Sequence, residues 1–238
     1  YGALAARFCD NLPRVNAVAG LGYMFTSPHP TARLSRWPIR RLMQFAFHGA
    51  RSRIVVQNAD DQRVFQEGRL AYAQQVALIP SSGVDTKRFC PNPERAAGER
   101  FRVVMAARLL RSKGVAEFAA AAERLRHDGV AVDCVLAGAP DPGNPDSMDP
   151  VVVRRWADEG ILDWQGHNDD IATLFRNADA VVLPSYSGEG LPRSLIEGGA
   201  CGLPLITTDR PGCRDVVSHG VEGLIVPERD FLALADAI

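Results

Sequence analysis

The chain is poor in the features that mark secreted, metal-binding and RNA-binding proteins. Its five cysteines are spread over 238 residues, with no C-x-x-C pair and no histidine at metal-ligand spacing, which argues against a disulfide framework or a zinc site. We expect buried thiols in a reducing compartment. Aromatic residues make up only 7% of the chain, and lysine occurs only at Lys87 and Lys113. The interleaved basic and aromatic residues of an RNA-binding platform are therefore absent, and no nucleic-acid partner is expected.

Long apolar runs are also missing. The longest uncharged stretch, residues 15–32, is broken by glycines and prolines, whereas a spanning helix needs about 20 apolar residues. A hydrophobic fraction of 46% and a charged fraction of 23% are typical of a globular protein. These features predict a cytoplasmic protein. Because the chain opens at Tyr1 and stops within a predicted helix, we expect both ends to be incomplete.

Acidic residues are absent between Asp10 and Asp60. Seven arginines give this stretch a charge of +7 and leave −8 for the rest of the chain, which suggests a local anionic partner. The segment from Leu34 to His48 places large apolar side chains among the arginines, a pattern that suits a helix lying on a membrane surface. Arg33–Arg53 is therefore predicted to contact an anionic membrane. The alternative is an arginine-rich helix packed on its own domain.

Short β-branched segments alternate with helical periodicity along most of the chain. Such alternation predicts a parallel sheet covered on both faces. The composition shift at residues 91–93 marks a domain boundary. The sequence thus predicts an α/β protein of two doubly wound domains: residues 1–90, incomplete at the N-terminus, and residues 91–238, with a truncated last helix. The predicted strands are 53–57, 75–79, 102–106, 132–137, 161–164, 180–183, 204–207 and 223–226, and the predicted helices are 60–67, 115–127, 151–159, 171–177, 193–201 and 231–238.

Two cations follow the first strand of the second predicted domain. This strand runs into Arg108 and then into Lys113 and Gly114, ahead of a helix. Ligands of open α/β sheets bind beyond the carboxyl ends of the strands, so both cations would face the crevice. Two cations near a helix N-terminus suit a diphosphate. The alternative is a pair of solvated loop residues.

A glycine-rich loop with two carboxylates follows the strand at 180–183. Glu189 stands at the loop tip, Pro192 is suited to the first helical turn, and Glu197 lies inside the helix. Carboxylates beside an anion-binding helix start are expected to accept hydrogen bonds from hydroxyl groups. A polyol attached to a diphosphate would satisfy both groups. The alternatives are an ion pair of Glu197 with Arg193 and an exposed loop acid at Glu189.

The Glu-x7-Glu spacing within residues 188–199 resembles the signature of the retaining GT-B glycosyltransferases of family four. The resemblance covers most of the chain: residues 83–85 look like the crossing into the second domain, 108–114 like the diphosphate pair, and 212–227 like the approach to the last strand. Gly-Leu-Gly-Tyr and a following Phe at 20–25 resemble a subgroup that transfers N-acetylhexosamines to undecaprenyl-diphosphate-linked saccharides. The implied fold is GT-B, with two Rossmann-like domains.

The resemblance implies a role for each matching residue. Arg108 and Lys113 would neutralise the diphosphate of UDP, Glu189 would contact the hydroxyls of the donor sugar, and Glu197 would hold the ribose. Of these, Glu189, Arg108 and Lys113 are the implied catalytic residues. Catalysis would be electrostatic and positional, without a metal ion, a separate cofactor or a protein nucleophile. The other implied donor-binding residues are Gly138, His167, Gly190 and Leu191.

The chain departs from the family at Ala19, where many members carry a histidine, so that group is missing from the implied set. The implied activity is retaining transfer of a sugar, an N-acetylhexosamine, from a UDP-sugar to a saccharide acceptor. A polyprenyl-diphosphate-linked acceptor at the inner face of the plasma membrane fits the basic segment. Two alternatives remain open: a UDP-sugar-binding module without turnover, and a sugar-nucleotide epimerase of the same fold, against which the Glu-x7-Glu loop argues.

Overall fold

The computed structural model describes residues 2–9, 12–20, 30–80, 83–95, 98 and 100–238, with the side chains of 30–35 left undescribed. The chain divides into two compact units. The first comprises Tyr1–Gly83 and Ser187–Leu191, and the second comprises Val84–Tyr186 and Pro192–Ile238. The boundary between the units follows Gly83, whereas the amino-acid composition predicted a domain boundary between residues 90 and 91. Phe89 is buried in the core of the second unit, which accounts for the difference.

The first unit contains a parallel sheet in the order β1-β2-β3. Ile54, Val56, Phe65 and Leu70 are fully buried and form its core. Two of its elements, α1 and β1, were not predicted from the sequence. The elements are α1 (Gly2–Phe8), β1 (Arg14–Val18), α2 (Pro30–Phe47), β2 (Ser52–Val56), α3 (Ala59–Glu67) and β3 (Val76–Leu78).

The second unit contains a six-stranded parallel sheet in the order β6-β5-β4-β7-β8-β9. The chain starts in the middle at β4, adds β5 and β6 on one side, and then crosses to the other side for β7. The switch point of the topology therefore lies between β4 and β7. The elements are β4 (Phe101–Ala106), α4 (Val115–His127), β5 (Val132–Ala137), α5 (Pro150–Asp158), β6 (Asp163–Gly166), α6 (Ile171–Arg176), β7 (Ala180–Leu183), α7 (Arg193–Ala200), β8 (Leu205–Thr208), β9 (Gly223–Val226) and α8 (Phe231–Ala237).

Burial explains why these segments form a sheet covered by helices. All four residues of β7 are buried, as β-branched runs in a parallel sheet are expected to be. On α4, Val115, Phe118, Ala119 and Ala122 repeat at helical spacing and are buried. The predicted α/β class with parallel sheets is confirmed. The prediction for β6 was two residues early, because the buried apolar pair at 161–162 precedes the strand.

The thiols follow the prediction only in part. Cys134, Cys201 and Cys213 are buried and free, while Cys9 is exposed. Burial raises the pKa of the Cys134 thiol to about 12, so this group is not a thiolate at neutral pH.

Asp179 ties the segment before β4 to the sheet. Its Oδ2 accepts hydrogen bonds from the Arg95 guanidinium at 2.7 Å and from the Arg102 N–H at 2.7 Å. The Arg95 hydrogen bond is the main reason that the pKa of Asp179 lies below its ordinary value of 3.8. A carboxyl group whose pKa is lowered by folding stabilises the fold above its unfolded-state pKa, and this contribution is lost as pH falls through the folded-state pKa.

We expect Asp179→Asn to lower the free energy of unfolding at pH 7 by about 1 kcal/mol. The variant should also lose less stability than the wild type when the pH falls below about 4, because the titrating group is gone. Urea denaturation at pH 7 and in acid measures both effects. The control is Asp133→Asn, which removes an exposed partner of Arg100 and should change stability by less than about 0.5 kcal/mol. Equal effects of the two substitutions would contradict the role given to Asp179.

Candidate functional site

The predicted site residues of the second unit follow the ends of neighbouring strands. Arg108 and Lys113 follow β4, Gly138 follows β5, His167 follows β6, and Glu197 lies on the helix that follows β7. All these strands are parallel, so their carboxyl ends share one edge of the sheet. The topology therefore brings the five residues to the same edge, with β4 and β7 at the switch point.

Gly138 is held tightly at this edge. Its N–H donates to Gly166 O at 2.6 Å, and its carbonyl accepts from the indole N–H of Trp164 at 2.9 Å. A Cβ at position 138 would lie 1.8 Å from Ala107 O. Only glycine therefore lets the loop after β5 approach the loop after β4 so closely.

Arg108 is exposed and already has an anionic partner. Its guanidinium donates to Oδ2 of Asp141 at 2.6 Å. The same oxygen accepts from the side-chain amide of Asn144 at 3.1 Å. An incoming diphosphate would compete with Asp141 for the guanidinium. Asp141 was not among the predicted site residues. The sequence feature that could have indicated it is its position, four residues after the last residue of β5.

Lys113 ends a short 3₁₀ turn, Arg111–Lys113, that leads into α4. Asp146 fixes this turn by accepting hydrogen bonds from the N–H of Ser112, at 3.1 Å, and from its hydroxyl. The carbonyl of Ser112 in turn accepts from the N–H of Tyr186, at 2.9 Å, in the segment after β7. The loops on the two sides of the switch point are thus hydrogen-bonded to each other beside Lys113.

Glu197 lies on the buried face of α7 and forms the ion pair considered as an alternative. Arg193 donates to its Oε1 at 2.9 Å. The Arg193 side chain is 73% exposed and that of Glu197 only 12%, so the arginine covers the carboxylate from the solvent side. A carboxylate accepts up to about four hydrogen bonds, and the ion pair therefore leaves acceptor capacity for hydroxyl groups. Pro192 precedes α7 as its N-cap residue rather than occupying the predicted first turn.

The loop Ser187–Leu191 belongs to the first unit, where Asn58 holds its backbone. The side-chain amide of Asn58 donates to Glu189 O at 2.8 Å and to Gly190 O at 3.2 Å. Its Oδ1 accepts from the N–H of Asp61 at 2.7 Å and so caps α3. Asn58 is buried and was missed by the sequence interpretation. The only signal was its place at the start of a predicted helix.

Gly190 also needs to be glycine. A Cβ there would lie 2.0 Å from Oε1 of Gln57 and 2.8 Å from the carbonyl oxygen of Ala19. Ala19 is the position at which the sequence departs from the family that it resembles. Within the described part of the chain, no hydrogen bond is found from the N–H of Gly190 or Leu191. Both N–H groups are therefore available to an acceptor, and their role toward a phosphate stays a prediction.

His167 is exposed, and its Nε2 lies 3.0 Å from Oδ1 of Asp169.

A cluster of Glu117, Tyr186 and Arg229 was not predicted. The guanidinium of Arg229 lies 4.3 Å from the ring centre of Tyr186. Burial raises the pKa values of Glu117 and Tyr186, and the charge of Arg229 partly offsets both shifts. Tyr186 directly precedes the loop Ser187–Leu191 in the chain.

Comparison with known proteins identifies the family and agrees with the fold. Residues 100–238 match the family described as Glycosyl transferases group 1. The chain is 30% identical to the N,N'-diacetylbacillosaminyl-diphospho-undecaprenol alpha-1,3-N-acetylgalactosaminyltransferase of Campylobacter jejuni, over all of this chain and 63% of that protein. It is 29% identical to the putative colanic acid biosynthesis glycosyltransferase WcaL of Escherichia coli, over 71% of this chain and 43% of that protein. The chain thus spans less than two thirds of either relative.

Two solved structures share the fold at low sequence identity. Sucrose-phosphate synthase from Thermosynechococcus elongatus superposes with a TM-score of 0.80 at 23% identity, covering 98% of this chain and 59% of that chain. Anabaena HepE in complex with UDP and glucose superposes with a TM-score of 0.78 at 21% identity, covering 99% and 63%. The predicted GT-B class is confirmed.

Proposed function

The chain belongs to the glycosyl transferases group 1 family, and on this premise we propose that it binds a UDP-sugar and transfers the sugar to a saccharide acceptor with retention of configuration. One observation carries the proposal: the strand order brings Arg108, Lys113 and the buried Glu197 to the same edge of the sheet, beside the β4/β7 switch point. Cations there suit a diphosphate, and a carboxylate suits hydroxyl groups.

The proposed chemistry concerns the leaving group. As the bond from the sugar carbon to the diphosphate oxygen breaks, both electrons go to the oxygen, and negative charge develops on the diphosphate. Arg108, on exchanging Asp141 for the phosphate, and Lys113 stabilise that charge. The acceptor hydroxyl attacks from the face that the diphosphate leaves, next to an oxygen that can take its proton. This sequence of events requires no metal ion or protein nucleophile.

The remaining roles are proposed residue by residue. Glu197 accepts from the ribose hydroxyls, Glu189 contacts the donor sugar, and the N–H groups of Gly190 and Leu191 donate to the distal phosphate. Gly138 and His167 follow β5 and β6 and line the nucleotide pocket. The activity for which the Campylobacter relative is named supports an N-acetylhexosamine as the transferred sugar and a polyprenyl-diphosphate-linked saccharide as the acceptor.

The decisive experiment is a mass-spectrometric assay of the protein with a panel of UDP-sugars and a polyprenyl-diphosphate-linked saccharide. An acceptor heavier by one sugar residue, formed with release of UDP, supports the proposal. A UDP-induced rise in melting temperature without transfer from any donor would instead favour the binding module. Conversion of one UDP-sugar into its epimer would favour the epimerase.

We further propose that α2 rests on an anionic membrane, on the cytoplasmic side. Trp37 is 68% exposed, Leu42 and Phe45 are also exposed, and the Arg41 guanidinium lies 5.7 Å from the Trp37 ring centre. Other residues of α2 contact the rest of the first unit, as expected for an arginine-rich helix packed on its own domain. The Arg40 guanidinium donates two hydrogen bonds to Gly68 O, at 3.0 and 2.7 Å. In the described part of the chain, no helix is long and apolar enough to cross a bilayer.

The membrane proposal predicts that vesicles containing phosphatidylglycerol will shift the Trp37 fluorescence to the blue and pellet the protein. Arg41→Ser should weaken this binding by about 1 kcal/mol at low salt, and the effect should fade at physiological salt, where the Debye length is about 8 Å. Arg63→Ser removes an exposed arginine from α3 and serves as the control. Equal sedimentation with neutral and anionic vesicles would contradict the proposal.

A further inference from the structure

Two adjoining clefts open at the amino ends of β2 and β3 in the first unit. Their volumes are about 550 and 450 Å³. Arg7 and His48 line both clefts, Arg53 lines the first, and Arg41 and Arg69 line the second. Among the residues that the structure describes, no aspartate or glutamate lines either of them. We call these two clefts together the amino-end cleft.

The partners of the four arginines of the amino-end cleft differ from those of several arginines in the second unit. No salt bridge from Arg7, Arg41, Arg53 or Arg69 is found in the described ranges. Arg7 and Arg41 lie over aromatic rings, and Arg53 donates to backbone carbonyls. In the second unit, by contrast, arginine–aspartate pairs are common. They include Arg95–Asp179, Arg100–Asp133, Arg108–Asp141 and Arg124–Asp128.

A buried arginine adds to the positive charge beside the amino-end cleft. Arg14 is only 9% exposed and donates to Ala46 O at 3.0 Å and to His48 O at 3.4 Å. Its Nε and Nη1 have no acceptor among the described residues, and neither does the buried hydroxyl of Ser52, its neighbour in the sheet register. A buried cation is stable only where negative charge or hydrogen-bond acceptors compensate it. An anion in the adjacent cleft would supply that compensation.

Two further features shape the amino-end cleft. Arg69 has left-handed backbone, with φ of 49°, directly after the C-cap residue Gly68 of α3. Glycine is strongly preferred at that position, so an arginine there is unfavourable for the fold alone. On the other side, the rings of His48 and Tyr72 stack at 4.7 Å with an angle of 13° between their planes.

We propose that the amino-end cleft binds a phosphate or diphosphate group. Guanidinium groups bind phosphate oxygens through paired hydrogen bonds, and several of them together suit a ligand with more than one negative charge. The ligand is either a free phosphorylated molecule or the headgroup of an anionic lipid, since Arg41 connects the cleft to the exposed Trp37. The inference does not depend on the proposed sugar transfer, because no residue is shared with the proposed donor site.

The test is calorimetry with inorganic pyrophosphate at low salt, on an Arg108→Ala/Lys113→Ala background and, separately, on the wild type saturated with UDP. Both conditions remove binding at the proposed donor site. We expect binding to persist and to weaken about tenfold or more on Arg7→Ser. Arg51→Ser makes the same change in charge at an exposed position outside the cleft, and should alter the affinity less than about twofold.

Arg69→Gly separates binding from folding. Glycine suits the left-handed backbone, so this variant should keep or raise the melting temperature while it weakens pyrophosphate binding about tenfold. A role of Arg69 in stability alone would give the opposite pattern. Unchanged affinity in both Arg7→Ser and Arg69→Gly, or no pyrophosphate binding in either donor-blocked condition, would overturn the proposal. A wild-type protein that binds pyrophosphate but does not bind UDP would count against the proposed function instead.

A competition experiment identifies the source of the phosphate group. Phosphatidylglycerol vesicles that displace pyrophosphate, and that bind Arg69→Gly less well than the wild type, would identify a lipid headgroup. Pyrophosphate binding that is unaffected by the vesicles would identify a free phosphorylated ligand. Both outcomes support the cleft as a phosphate site.

Discussion

Replacing Lys113 or Arg108 with alanine should weaken UDP binding strongly while leaving uridine binding nearly unchanged. Both cations are proposed to act on the diphosphate, which uridine lacks, and a hydrogen bond to a charged group contributes about 1.5 to 3 kcal/mol. Calorimetry with the two ligands measures the difference.

Asp141→Asn provides a matched test of the same site. Removal of the competing carboxylate should strengthen UDP binding, and this gain should disappear in an Arg108→Ala background. If Arg108→Ala and Lys113→Ala weaken the binding of uridine and of UDP by the same factor, the two residues support the fold of the loop and do not contact the diphosphate.

Glu197→Ala should weaken UDP binding by about 1.5 to 3 kcal/mol, the range for a hydrogen bond to a charged group. Glu197→Gln should lose less affinity for UDP, since the amide oxygen can still accept a hydrogen bond from a hydroxyl group. The buried position of the carboxylate favours a large effect, because solvent does not replace a lost acceptor there. The affinities follow from calorimetry with UDP.

The ion pair of Glu197 with Arg193 requires its own control. Arg193→Ala removes the partner and keeps the carboxylate, so UDP affinity should change by less than about 0.5 kcal/mol. Equal UDP affinity of Glu197→Ala and the wild type would contradict the ribose assignment. The carboxylate would then serve only the pair with Arg193.

The second unit could be predicted well because burial and periodicity agree there. Helix α4 begins and ends where its apolar spacing indicates, at Val115–His127. Strand β1 was missed because Asn16 interrupts its apolar pattern and Val15 is 71% exposed. Helix α1 was missed for a similar reason, since none of its residues is buried. An element that contributes little to a core leaves little periodicity in the sequence.

The sites show the same division. Arg108 and Glu197 could be assigned to one edge of a sheet because parallel topology determines where strand ends lie. Their ionic partners were harder to predict from the sequence. Arg193 lies one helical turn from Glu197 and was considered as its partner, whereas Asp141 lies in a different loop from Arg108 and was not. The amino-end cleft could not be predicted, because it joins side chains from three separate segments of the chain, at residue 7, residues 41–53 and residues 69–75.

The two hydrogen-bonding ends of the Asn58 side chain also restrict which residues can replace it. Aspartate and serine cap helices about as well as asparagine, so most helix starts accept any of the three. Here the oxygen caps α3 while the amide donates to the carbonyls of Glu189 and Gly190. Aspartate would keep the cap and turn a negative charge toward two carbonyl oxygens. A substitution that is conservative for the helix is therefore radical for the loop, and natural variants of this protein should keep the amide even where neighbouring helix starts have exchanged it.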